Sequence, residues 1–176
     1  MLSKYKFSEE EKEELVNSMV YLIDTREKKN DHITMIFDHK KVPYEVQKLD
    51  YGDYSFYIPK NEKLGIPRDL YFDKEVIVER KATLEELSQN LTKGRASFEK
   101  ELARAPAAKM VMVETQSFSD LVHGRYETQY APKYFIGSIF SLWHRYNCPF
   151  VFIQDERDSA VQIRYFLQRY LMEQLR

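Results

Sequence analysis

Residues 75 to 81 read Glu75-Val-Ile-Val-Glu-Arg-Lys81. An apolar run ends abruptly in an acid, an arginine and a lysine. If the run is a β-strand, successive side chains point to opposite faces. Val76 and Val78 then share a face with Arg80, and Ile77 shares the other with Glu79 and Lys81. An acid and an amine emerge side by side at the end of a buried strand. A carboxylate can hold a metal ion, and a lysine can neutralise charge developing on a phosphate. The plainer reading is an ordinary strand that ends in solvated charges.

Similar apolar runs recur on both sides of this stretch. Met19 to Asp24 and Lys109 to Glu114 read as strands buried on both faces, and Phe150 to Ile153 as the last strand. Tyr44 to Leu49 and Tyr54 to Ile58 flank the turn Tyr51-Gly52-Asp53, a hairpin signal. Residues 59 to 73 hold Pro59, Gly65 and Pro67 and read as an irregular excursion. Between the strands lie helix patterns. Ser8 and Glu11 form a capping box, as do Thr83 and Glu86. Asn30 or Asp31 can cap a helix carrying Ile33, Ile36 and Phe37, and Gly94 ends the helix of Leu84, Leu87 and Leu91. A helix from Arg95 carries Phe98 and Leu102, and Pro132 opens one through Ile136, Ile139, Phe140 and Trp143. The last, Ser159 to Leu175, has an apolar stripe wide enough to suggest a dimer surface shared with the helix of Trp143. Strands alternating with helices predict an α/β, three-layer sandwich, a central mixed β-sheet with helices on both faces. Residues 1–18 form an N-terminal helical extension and residues 19–176 a single domain.

Composition narrows the function. With 43% hydrophobic and 31% charged residues among 176, the chain has the balance of a globular domain with one substantial core. No apolar run is long enough to cross a bilayer, and no apolar signal segment stands at the N-terminus. Cys148 is the one cysteine, so neither an intrachain disulfide nor a cysteine-based zinc site is available, and it reads as core. A net charge of -1 argues against adhesion to nucleic acid by bulk electrostatics, but not against a basic surface around an acidic site. His32, His39, His123 and His144 have no metal-ligand spacing.

Three acids converge if this topology holds: Asp24 at a strand end, Asp53 at the turn, and Glu79. Hard carboxylate oxygens suit Mg²⁺ or Mn²⁺. Together, Asp24-Thr-Arg-Glu27, Tyr51-Gly-Asp-Tyr54 and Val78-Glu-Arg-Lys81 resemble the XPF family of structure-specific DNA endonucleases, of the PD-(D/E)XK superfamily. Gly52, Asp53, Glu79, Arg80 and Lys81 match its signature, Asp24, Arg26 and Glu27 an upstream element, and Gly94-Arg95 a downstream one.

The resemblance implies a restriction-endonuclease-like fold and a metal-dependent endonuclease acting on branched or single-strand-containing DNA. Asp53 and Glu79 would bind the metal, with Asp24 supporting it or a second ion. Lys81 would serve the transition state, Glu27 would help position the site, and Arg80 would clamp a backbone or an internal acid. Glu85 stands where the family has Asp, and reads either as support for the site or as a first-turn helix acid. Arg26, Arg95 and Lys93 are candidate DNA contacts; Lys28, Lys29 and the tyrosines Tyr126, Tyr130 and Tyr134 could add to them. No helix-hairpin-helix pattern follows, so a stand-alone nuclease domain of phage or bacterial type is expected. It would pair as a homodimer through its C-terminal helices and work in a bacterial or phage-infected cytoplasm. A non-catalytic DNA-binding partner of the same fold and a Holliday-junction resolvase are the alternatives.

Overall fold

A computed structural model describes residues 6–176. The first five residues of the expected N-terminal extension lie outside the described residues. The quoted stretch forms β5 (Val76–Lys81), inside the sheet. β3 (Tyr54–Ile58) runs antiparallel along one edge of it and β6 (Ala108–Glu114) parallel along the other. With β1 (Val20–Asp24), β2 (Tyr44–Gln47) and β7 (Phe150–Ile153), the sheet order is β2-β1-β3-β5-β6-β7. A short β4 (Leu70–Tyr71) pairs with the far end of β3, inside the stretch expected to be irregular.

Helices cover both faces. Val76 and Val78 pack with Met110, Met112 and the buried sides of α1 (Glu9–Asn17), α2 (Asp31–His39) and α7 (Ser159–Gln174). On the opposite face Val111 and Val113 meet α3 (Leu84–Leu91), α4 (Arg95–Arg104), α5 (Phe118–Val122) and α6 (Pro132–Tyr146). Val76 and Val78 are fully buried, which at about 1.5–3 kcal/mol per side chain anchors β5 in the core. Among the described residues no helix is long and apolar enough to cross a membrane.

The expected hairpin of β2 with β3 does not form. β1 lies between them, parallel to β2 (Tyr21 beside Tyr44, Ile23 beside Val46) and antiparallel to β3 (Ile23 beside Tyr54). Tyr21, Leu22 and Ile23 are buried, so β1 needs neighbours along both edges and layers on both faces. β2 is half exposed and suits the sheet edge. Two helix details also differ from expectation. Gly94 has φ −92° and caps the start of α4 rather than closing α3 in the left-handed region. In α6 the buried set is Phe135, Ser138, Ile139 and Leu142, and Phe140 turns outward.

Candidate active site

Asp53 immediately precedes β3, and Gly52 delivers it. Gly52 has φ +64°, and a Cβ there would lie 2.9 Å from the Ile77 side chain and 3.1 Å from the Val78 carbonyl oxygen. Only glycine lets the turn press onto β5 in this way. The Asp53 amide then donates to the Val78 carbonyl (2.9 Å), and its carbonyl accepts from the Asp24 amide (2.8 Å). The Gly-Asp pair is thus a steric device that sets the Asp53 carboxylate beside β5.

Asp53 Oδ2 accepts the Arg80 backbone N–H at 2.7 Å, and Oδ1 takes no hydrogen bond among the described residues. Glu79 Oε1 accepts from Lys81 Nζ at 2.7 Å, as their shared face of β5 predicts. Burial, then the charges of Glu79 and Glu27, push the Asp53 carboxyl well above the usual carboxylate range. Lys81 is buried, which alone would lower its pKa. The Glu79 carboxylate outweighs that, aided by Asp53 and Glu86, and holds Lys81 raised. Lys81 is therefore an ammonium, further seated over the Phe98 ring at 5.4 Å. An ammonium can stabilise developing negative charge but cannot take a proton.

Two half-buried carboxylates that crowd one another, each with an oxygen to spare, fit a divalent cation. A cation would relieve the repulsion that raises Asp53. Among the described residues no group of three acidic, histidine or cysteine side chains forms a cage. Two carboxylates would leave the rest of a cation's coordination to water or to another ligand. A cleft of about 220 Å³ opens here, lined by Arg26, Tyr51, Asp53, Glu79, Phe98 and Leu102 among others.

The other expected site residues divide. Asp24 lies at the end of β1, 1% exposed, and its carboxylate is already filled. Oδ1 accepts the Arg26 amide (2.8 Å) and Nε (2.7 Å), and Oδ2 accepts the Leu49 amide (2.6 Å) and Arg26 Nη2 (3.2 Å). Four donors occupy the four acceptor positions of a carboxylate. The structure therefore departs from the expectation that Asp24 supports the metal: it brackets Arg26, whose side chain is 64% exposed at the cleft mouth.

Arg80 and Glu27 meet on the opposite face of the sheet, where Arg80 Nη1 donates to Glu27 Oε1 at 2.6 Å. Arg80 thus holds an internal acid and also reaches the Lys28 and Lys29 carbonyls. Glu85 does not join the carboxylates of Asp53 and Glu79. Its Oε1 accepts the Glu127 amide at 2.8 Å and so ties α3 to the tyrosine-bearing loop before α6. The acid near Lys81 is the next residue, Glu86, with Oε1 3.8 Å from Nζ. Arg95 is engaged too, through Glu99 (2.8 Å) and Ser138 (3.0 Å), which joins α4 to α6 rather than leaving a free phosphate contact. Lys93, Lys28 and Lys29 are exposed. Tyr130 stacks on Phe135 (centroids 5.0 Å apart) and its hydroxyl bonds Ser138, so it is committed to packing.

The sequence places Glu86 in a capping box, His32 outside any metal-ligand spacing and Glu114 at a strand end, and assigns none of them a part in the site. For Glu114 a signal was present: it ends a buried apolar run in an acid, as Asp24 and Glu79 do.

The family model described as the ERCC4 domain matches residues 23–166, most of the chain and the whole site. This chain belongs to the ERCC4 domain family. That is a nuclease family, and the resemblance to XPF-type nucleases read from the motifs is borne out. Two solved structures with the same fold are XPF from Aeropyrum pernix, at 19% identity and a TM-score of 0.62, and XPF from Aeropyrum pernix in complex with DNA, at 19% and 0.63. They align over 86% and 88% of this ERCC4-family chain, which spans 61% and 66% of theirs. No curated protein matches.

Proposed function

We propose that this chain is a metal-dependent DNA endonuclease that hydrolyses phosphodiester bonds in branched or single-strand-containing DNA. The observation that carries the reading is the open oxygens of Asp53 and Glu79 beside a buried Lys81 ammonium. Asp53 and Glu79 would hold Mg²⁺ or Mn²⁺, which supplies an acidified water and charge neutralisation at the phosphate when bound. Lys81, fixed by Glu79 and Phe98, would donate to a non-bridging oxygen as charge builds in the pentavalent transition state. Arg26, held by Asp24, would contact a neighbouring phosphate and set the backbone's path across the cleft. The apolar cleft wall of Phe98 and Leu102 shields these charges on one side, strengthening them.

A homodimer fits the far edge of the sheet. Phe118, Phe140, Trp143 and Phe152 form a chain of ring contacts beside the edge strand β7, and Phe118 and Phe140 stay 39% and 41% exposed. A second copy would cover them.

The test is cleavage of flap, fork, four-way-junction and plain duplex DNA with Mg²⁺ or Mn²⁺. Cleavage of the branched substrates, lost in Asp53→Asn and Lys81→Met, is expected. Activity that survives either substitution would overturn the assignment.

A further inference from the structure

Glu114 closes β6 on the face opposite the open carboxylates, and its side chain is 1% exposed. Its Oε2 lies 2.7 Å from Arg80 Nη2, and its Oε1 lies 3.0 Å from His32 Nε2. Two-residue alternation puts Met110, Met112 and Glu114 on the face of Val76, Val78 and Arg80, and the parallel register sets Arg80 beside Met112. The pairing is therefore written into the strands. Burial alone would raise the Glu114 carboxyl, but Arg80 foremost holds it lowered, so the carboxylate is ionised. An ionised group this deep gives up its hydration and needs specific partners to replace it.

The Arg80 guanidinium is gripped from two sides: Glu27 at 2.6 Å and Glu114 at 2.7 Å. The two grips are not equivalent. Glu27 belongs to the loop after β1, the same loop whose Lys28 and Lys29 carbonyls Arg80 reaches at 3.4 and 3.3 Å. Lys29 there has φ +54°, a left-handed conformation that a lysine holds only when its surroundings enforce it. A pair of Arg80 with Glu27 alone could drift together with the loop. Glu114 belongs to the sheet and ties Arg80 to the fixed frame. Arg80 in turn sets two parts of the site: its amide fixes Asp53 Oδ2, and its head fixes the loop that carries Arg26.

We infer that Glu114 is a positioning residue of the nuclease site, acting through Arg80, with His32 steering the Glu114 carboxylate from its other oxygen. It anchors the loop of residues 25–30 to the sheet so that Arg26 and Asp53 keep a fixed relation across the cleft. This rests on the nuclease reading.

The experiment uses the full chain as Glu114→Gln, Glu114→Asp and His32→Gln, with three readouts: thermal unfolding, hydrogen exchange of amides 25–30 without metal, and single-turnover cleavage. Glu114→Gln is expected to speed exchange in the loop but not in β5 and β6. Its cleavage rate should fall by about 10–100-fold, as for other residues that orient a site from behind, while DNA affinity changes far less. A folded Glu114→Gln protein with wild-type exchange and wild-type rate would overturn the inference. Should that variant fail to fold, Glu114→Asp decides: the shorter acid keeps its charge but draws back from Arg80, and wild-type values in both readouts would overturn the anchor, while wild-type values in His32→Gln would overturn the steering by His32. A wild-type protein without nuclease activity would instead sink the nuclease reading, leaving the exchange data to judge the anchor.

Discussion

Asp24→Asn separates two roles for the acid at the end of β1. In the native protein Asp24 takes four donors, two from the Arg26 side chain and two backbone amides. Asparagine keeps one carbonyl oxygen and puts an NH₂ where the other stood. If the oxygen stays with Arg26, the NH₂ opposes the Leu49 amide, and Leu49 is 1% exposed with no water to replace the bond. A stranded buried amide costs about 1–3 kcal/mol, and a lost hydrogen bond to a charged group about 1.5–3 kcal/mol. The ion pair itself adds little, because Arg26 is 64% exposed and such pairs are worth about 0–1 kcal/mol. The loss should therefore be about 3 kcal/mol, carried mostly by the Leu49 amide. For a domain of this size that lowers Tm by about 6–12 °C. Thermal unfolding of metal-free protein followed by circular dichroism reads this directly, and calorimetry with Mn²⁺ reads the metal. The account expects a lower Tm with metal affinity largely kept. An unchanged Tm combined with lost metal affinity would refute it and make Asp24 a ligand.

Further outcomes follow from the same geometry. Glu85→Ala should free the Glu127 amide and loosen the tyrosine-bearing loop, seen as faster amide exchange there, while retaining the rate of the chemical step at saturating DNA; a rate loss as severe as that of Asp53→Asn would make Glu85 part of the chemistry. Cys148 is fully buried, which pushes its thiol up to about 12, so it should stay unmodified by iodoacetamide at neutral pH until the protein unfolds, as mass spectrometry would show. Asp53 has a raised pKa in the fold, so its contribution to stability is complete below the ordinary carboxylate range and declines as pH rises through the folded value. Metal-free wild type should therefore lose Tm relative to Asp53→Asn as pH rises above about 4, and a difference that stays constant from there upward would contradict the assigned burial and repulsion.

Much of this was readable in the chain because the physics is local. Strand alternation alone put Glu79 and Lys81 on one face of β5 and Arg80 on the other, and the structure has them so. Capping chemistry placed the starts of α1 and α3 at Ser8 and Thr83. What failed depends on partners distant in sequence. The turn at Tyr51-Gly52-Asp53 looked like a hairpin, but strand order is decided by which strand needs two neighbours, and β1 took that place. Gly52 carried a second meaning, close approach to Ile77, that no local signal distinguishes from a turn. Asp24 was legible as a buried acid but not as a filled one, since two of its four donors come from the exposed arm of Arg26 and one from Leu49, 25 residues on. The Glu114–Arg80–Glu27 arrangement needed the register of β5 on β6 before it could be seen.

In the proposed site Asp53 and Glu79 together hold the metal ion. Calorimetric titration of Mn²⁺ into folded wild type, Asp53→Asn and Glu79→Gln tests this without relying on DNA cleavage. The account predicts binding to wild type that is lost or severely weakened in both variants, with each variant's fold intact by circular dichroism. Binding of wild-type strength in either variant would place the metal elsewhere and contradict it.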